Sequence, residues 1–287
     1  GGWASSMVEN LGMPELLKKW PDTVLRLGEE IGGLTPNAGA HLDLPEGVPV
    51  LQGGADAFIG MIGLGVVNPG SLAFITGSSH LHLGLSPQAF HGQGIWGTYA
   101  DAVIPGLHVV EGGQTSTGSV VSWIRRTLGS PSYEELNHEA AELEPGSEGV
   151  VIQEHFQGNR TPHTDPLSRG VISGLTLKHG RGHLFRAALE GIAFGTELIL
   201  ETMRNNGFAA ETVVLAGGAT RSDLWLQIHA DVSNLPLTLT KVPDAPALAE
   251  IIIIDNETIN NKKTLPVLSI PKTEIIRGAQ ANGGTGL

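Results

Sequence analysis

From residue 48 onward, short continuous apolar runs alternate with amphipathic stretches of helical period, and glycine separates the two kinds of segment. VPVLQGG (48–54) and SLAFITGSS (71–79) predict buried strands that run into turns, and ADAFIGMIGLGV (55–66) between them predicts a glycine-rich helix. LHVVEGGQTSTG (107–118) predicts a strand that breaks at Gly112 and Gly113. The helix after it repeats Val120, Ile124 and Leu128 at i, i+4 and i+8. SYEELNHEAAEL (132–143) reads as a surface helix with one polar face. HLFRAALEGIAFGTELILETM (183–203) is apolar almost all round and predicts a buried central helix. ETVVLAGGATRSDLWLQIHADVS (211–233) is a strand, a Gly-Gly turn and a helix striped by Leu224, Ile228 and Val232. Repeated strand, glycine turn and helix predict an α/β layered lobe. Residues 1–47, with a helical turn or two at PELLKKW and turn chemistry at GGLTPNAGA, read as a connector. HTDPLSRG (163–170) is the most loop-like internal segment.

Composition narrows the partners. The chain has 287 residues, 40% of them hydrophobic, which is ample for a real core. Seventeen Lys and Arg against 29 Asp and Glu give a net charge of −12, which repels polyphosphate backbones and argues against nucleic acid and anionic membranes as partners. Any phosphate must therefore be held locally. There is no cysteine, so disulfides, thiolate metal sites and a cysteine nucleophile are excluded. No apolar run approaches the roughly 18 residues of a membrane helix, and GGWASSMVEN lacks the shape of a signal peptide, so a cytoplasmic location is expected.

Three turns join glycine to hydroxyl side chains at strand ends: TGSSH (76–80), TSTGS (115–119) and GGATRS (217–222). Exposed backbone N–H groups and Ser or Thr hydroxyls are what phosphate oxygens require. None is a P-loop, since no Gly-Lys-Ser/Thr follows, and the dinucleotide fingerprint is absent. Asp56, inside LQGGADAFIGMIG, is a carboxylate among apolar neighbours and needs a partner or a wet cleft. It reads either as a helix N-terminal cap or as a catalytic base. His80 and His82 fall on one side of a strand without a third ligand at a telling spacing, so no metal site is expected and both read as surface or cleft-rim residues. GSSH lacks the nucleophile elbow of a serine hydrolase. Arg160 and Asp165 are expected to pair and hold their loop, and Trp123 and Trp225 read as core residues.

RGVISGLTLKHGRGHLFRAALE (169–190) resembles the second signature of the FGGY carbohydrate kinases along its full length, through Gly170, Ile172, Gly174, Leu175, His183, Leu184, Ala187, Ala188, Leu189 and Glu190. GGADA (53–57) resembles that family's catalytic-aspartate motif, TGSS (76–79) its second phosphate loop and LAGGATRSDLWLQIHADV (215–232) its adenosine motif. The resemblance spans roughly residues 1–247. It implies an actin-like and hexokinase-like (ribonuclease H-like) α/β ATPase lobe at 48–247, the C-terminal domain of a sugar kinase of the ribulokinase and xylulokinase kind. It implies Asp56 as the base that takes the proton of an attacking sugar hydroxyl, with Ala57 and His80 beside the sugar. Gly77, Ser78 and Ser79 would meet the β- and γ-phosphates, Gly118 and Ser122 would line the nucleotide's path, and Gly217, Gly218, Ala219 and Ser222 would hold the adenosine.

The implied cofactors are ATP and Mg2+, the latter held by phosphates, water and carboxylates from elsewhere. The implied partner is a small sugar or polyol, and a homodimer is compatible with it. Two features depart from the family. Nothing here resembles its preceding lobe, with the first phosphate loop and most of the sugar pocket, so a catalytically inactive nucleotide- or partner-binding remnant is the alternative reading. Residues 248–287, with four consecutive isoleucines, form an atypical tail of high strand propensity. A hydride-transfer enzyme is a third class, for which no NAD binding is expected.

Overall fold

The computed structural model describes residues 3–240 and the strand 272–276. The first part holds two short helices, α1 (Ser5–Asn10) and α2 (Pro36–Leu42), and a two-stranded antiparallel ribbon of β1 (Glu30–Gly33) and β2 (Pro49–Leu51). The buried strand expected at VPVLQGG is instead this short β2, exposed at Pro49 and Val50. Its apolar letters pair with β1 alone and do not enter the main sheet.

The lobe proper begins with α3 (Asp56–Gly63), β3 (Ser71–Thr76), β4 (His80–Ser86), β5 (Thr98–Ala100) and β6 (His108–Gln114). There follow α4 (Gly118–Thr127), α5 (Tyr133–Ala141), the small hairpin of β7 (Val151–Gln153) and β8 (Val171–Ser173), and the 25-residue α6 (Arg181–Asn205). β9 (Thr212–Gly217), α7 (Asp223–Ser233), β10 (Leu237–Thr240) and β11 (Lys272–Ile276) complete it. The seven-stranded sheet has the order β11-β10-β9-β3-β4-β6-β5. β10, β9 and β3 are parallel, and the remaining neighbours are antiparallel. Of the tail expected at 248–287, only β11 falls among the described residues; the isoleucine run lies outside them.

The two-residue period of the strands gives the sheet two apolar faces. Leu72, Phe74, Val110, Val213 and Leu215 join α4, α5, α6 and α7 in one core. Ala73, Leu83, Leu85, Val109, Val214 and Ala216 join Ile59, Met61 and Ile62 of α3 in the other. α3 is thus packed against the face of the sheet opposite α6. The central helix α6 is buried as its sequence predicts, and it lies close enough to its neighbours to require glycine on both sides of the contact. A Cβ at Gly191 would stand 2.1 Å from the Ile152 carbonyl oxygen, and one at Gly112 would stand 2.5 Å from Cγ2 of Ile199.

That contact corrects the strand break expected at Gly112 and Gly113: β6 runs unbroken through both to Gln114. These glycines admit a neighbouring helix and the Arg160 side chain rather than turn the chain. Trp225 is buried as expected, whereas Trp123 is 39% exposed and packs its ring beside Phe156. No helix among the described residues is long and apolar enough to cross a membrane.

Candidate nucleotide site at the ends of two parallel strands

β3 and β9 end side by side, with Thr76 and Gly217 as register partners, and the chain turns away from both at the carboxyl edge of the parallel strands. Open α/β sheets place their ligands outside this edge. Gly217 has φ +104°, and a Cβ there would lie 1.8 Å from the Thr76 carbonyl oxygen, so no other residue fits beside β3. The buried Thr76 hydroxyl joins the two turns: it donates to the Ala216 carbonyl at 2.8 Å and accepts the Ala219 N–H at 3.3 Å. Ser222 caps α7 by accepting the Trp225 N–H at 3.2 Å, and it donates to Asn137 Oδ1 at 2.6 Å. That last bond ties α7 to α5, whose own start carries a reciprocal capping box between Ser132 and Glu135.

The β3–β4 hairpin tip rests on the start of α4. The Ser78 carbonyl accepts the N–H groups of Thr117 (3.0 Å) and Ser119 (3.2 Å) and the Ser119 hydroxyl (3.0 Å). Gly118 makes this approach possible, since a Cβ would stand 2.3 Å from the Gly77 carbonyl oxygen. In the TSTGS turn, Thr115 and Ser116 donate to the carbonyls of Gly158 and Glu154, so their hydroxyls hold the following loop rather than face a ligand.

Two hollows meet at this junction and share Gly77 and Gly118 in their walls. The larger is a cleft of about 430 Å³ between Val121, Phe185, Leu189, Ala219 and Trp225, with polar groups from Tyr133, Asn137, Arg221 and Ser222 at its wall. Apolar walls with a few placed polar groups suit a flat heterocycle. Gly218 also lines this cleft, and the space where its Cβ would stand is open, so backbone and ligand can approach closely there. The second is a groove of about 370 Å³ formed by Gly77, Ser78, Gly118, Ser119, Ser122 and Arg126.

Of the residues singled out from the sequence, Gly77, Ser78, His80, Gly118, Ser122, Gly218, Ala219 and Ser222 come together around these two hollows. Gly217 forms the turn beneath, and the Ser79 carbonyl accepts the Gly77 N–H at 2.9 Å inside the hairpin tip. Asp56 and Ala57 line neither hollow. Asp56 is exposed in the first turn of α3, and its Oδ1 accepts the Ala57 N–H at 2.7 Å. The N-cap position itself belongs to Ala55, which corrects the capping alternative for Asp56. Tyr133, Asn137, Phe185 and Leu189 were invisible in sequence as parts of this site. They look like core or surface positions until α5 and α6 are folded over the sheet.

The two strand histidines are buried, at 2% exposure for His80 and 0% for His82, which corrects the surface or rim reading. His80 lines the cleft from β4, while His82 stacks on Phe74 at 4.5 Å. With His229, which stacks on Trp225 at 3.5 Å, they form an aromatic cluster under α7. Burial holds the His80 imidazole well below its usual range, and the charges of His229 and His82 add to the effect. Burial likewise lowers His82 and His229 to about 3. Among the described residues, no three His, Cys, Asp or Glu side chains are grouped to hold a metal ion. Arg160 pairs with Glu111 and lies over the Trp96 ring, and not with Asp165, which accepts the Leu167 N–H within its own turn. The nearest carboxylate in sequence was the wrong one because β6 brings Glu111 to the loop.

The model of the C-terminal domain of the FGGY family of carbohydrate kinases matches residues 72–253. An FGGY carbohydrate kinase domain-containing protein of Xenopus laevis is 31% identical over 88% of this chain and 53% of its own. A ribulokinase of Mycolicibacterium smegmatis is 34% identical over 79% of this chain and 42% of its own. Among solved structures, a xylulose kinase from Rhodospirillum rubrum superposes with a TM-score of 0.81 at 26% identity, covering 95% of this chain and 56% of that one. The chain thus spans about half the length of the curated relatives it matches.

Proposed function

The chain belongs to the FGGY family of carbohydrate kinases, and from that premise we propose that it is the nucleotide-holding, base-bearing half of an enzyme that phosphorylates a sugar or polyol with ATP. The observation that carries this reading is the meeting of the apolar cleft and the hydroxyl-lined groove at Gly77 and Gly118, outside the ends of β3 and β9. In this reading Phe185, Leu189 and Trp225 enclose the base, Asn137 and Ser222 meet its polar edge or the ribose, and Gly218 lets the backbone pass close by. Ser78 and Ser122 face the phosphates across the groove, while Ser119, whose N–H and hydroxyl both donate to the Ser78 carbonyl, holds the hairpin tip against α4. Mg2+ would arrive with the nucleotide and be held by phosphate oxygens and water, because the described residues form no cage of their own; when bound it neutralises charge on the transferred group.

Asp56 takes the proton from the attacking hydroxyl. Its exposure on α3 suits a substrate approaching from outside this lobe. The substrate class is a pentulose or similar polyol, in line with the ribulokinase and xylulose kinase among the relatives. Ala57 is the position in this lobe proposed to border the sugar side; His80, expected there from the sequence, instead lines the base cleft beside Trp225. The domain division proposed from the sequence is a connector to residue 47 and an ATPase lobe at 48–247; the ribbon of β1 and β2 crosses that boundary, with Glu30–Gly33 on one side of it and Pro49–Leu51 on the other. A cytoplasmic enzyme accords with the absence of cysteine. Because the chain spans about half of its relatives, these residues alone are expected to bind nucleotide without turnover.

The test is Asp56→Asn in a protein that carries both halves. Turnover should fall on the order of 10²–10⁴-fold, the contribution of a general base, with ATP affinity unchanged. An undiminished rate removes Asp56 from the chemistry.

A further inference from the structure

The 370 Å³ groove contains one charged residue, and the sequence motifs give it no role. We infer that Arg126 is a phosphate-binding residue that grips the polyphosphate of the nucleotide, a role that rests on the nucleotide reading above. α4 carries Gly118, Ser122 and Arg126 at i, i+4 and i+8, so all three lie along one face of the helix, and with Ser119 they form one wall of the groove. Arg126 Nη1 donates to Ser122 Oγ at 2.8 Å. This bond draws the guanidinium back one turn toward the start of the helix, where Gly77 and Ser78 close the groove. A basic residue in the last turn is ordinarily explained by the helix dipole, but such a residue reaches for the terminal carbonyls. Arg126 is held in the opposite direction.

The contrast with its neighbour is informative. Arg125 is engaged locally: its Nε donates to the Pro131 carbonyl at 2.7 Å and its guanidinium lies over the Tyr133 ring. Arg126 has no carboxylate partner among the described residues. In a chain of net charge −12, a guanidinium without a carboxylate partner, in a hollow lined otherwise by glycine and serine, makes that hollow locally positive. A guanidinium has five N–H donors and Ser122 takes one, which leaves a planar fork able to meet two phosphate oxygens at once. Lysine in its place would keep the charge and lose the fork.

The experiment is calorimetric titration of the 287-residue chain with ATP, adenosine and sodium tripolyphosphate, for the wild type, Arg126→Ala and Arg126→Lys. The expected result is an ATP affinity roughly 10–100-fold weaker in Arg126→Ala, the range for a charged hydrogen-bonded contact, with adenosine affinity within about twofold of wild type. Tripolyphosphate should compete with ATP for the wild type and much less for Arg126→Ala, and Arg126→Lys should recover part of the loss. Equal ATP affinity in wild type and Arg126→Ala, with adenosine still bound, overturns the role of Arg126 and leaves the nucleotide site standing. A wild type that binds neither ATP nor adenosine overturns both.

Discussion

At positions 80, 82 and 229 the lobe buries imidazoles against Phe74 and Trp225, and neither ring nitrogen of His82 has a hydrogen-bond partner. All three are held neutral in the folded chain, whereas an unfolded histidine takes up a proton near pH 6.5. The unfolded state therefore binds more protons once the pH drops below that value. Stability should be fully present above about pH 6.5 and fall toward pH 3, by on the order of 1 kcal/mol per pH unit for each group. Thermal melts from pH 7.5 to 5 should show this decline, and His82→Leu should make it shallower while removing an unpaired buried polar group. A melting temperature as flat in the wild type as in the variant would contradict the burial argument. Gly218 tests the cleft at the same scale. A side chain there meets open space, so Gly218→Val should fold normally yet weaken ATP binding by roughly tenfold or more, since its methyls enter the volume assigned to the ligand. Equal affinity would place the nucleotide elsewhere.

The elements owe their arrangement to α6, which carries one core of the lobe on its buried face. It approaches β7 closely, where a methyl at position 191 would overlap the Ile152 carbonyl. Gly191→Ala should destabilise the fold by about 1–3 kcal/mol, as overpacking in a close-packed core does, and chemical denaturation will measure it. An unchanged midpoint would mean that the helix and hairpin can part without cost. The same contact explains what the sequence could and could not disclose. β3 and β9 were legible as continuous apolar runs and α6 as a helix apolar almost all round, while α4 and α7 showed their buried faces as apolar residues recurring at helical spacing. Gly112 and Gly113 were misread because a glycine in a strand looks like a turn until the helix crossing it is known. VPVLQGG misled for a related reason: four apolar letters predict burial, but β2 pairs only with β1. The cleft was half legible, in its glycine and hydroxyl turns. Its walls from α5 and α6 were not, because Asn137 and Leu189 acquire their role only from the packing of helices distant in sequence.

For the whole molecule, the proposed function divides labour along the sheet: α4, α5, α6 and α7 would hold the nucleotide on one face, and α3 would present Asp56 from the other. The phosphates would run between them over the β3–β4 hairpin tip. An adenine nucleotide that binds only the folded state should raise the melting temperature with its concentration, and adenosine should do so less for want of the groove. The most direct measurement is photo-crosslinking with 8-azido-ATP followed by peptide mapping. The account predicts saturable labelling on the segments 118–137, 185–189 or 218–225, which surround the cleft, and loss of that labelling in the presence of excess ATP. Labelling confined to other segments, or undiminished by ATP, would contradict the claim that the ends of β3 and β9 form a nucleotide site.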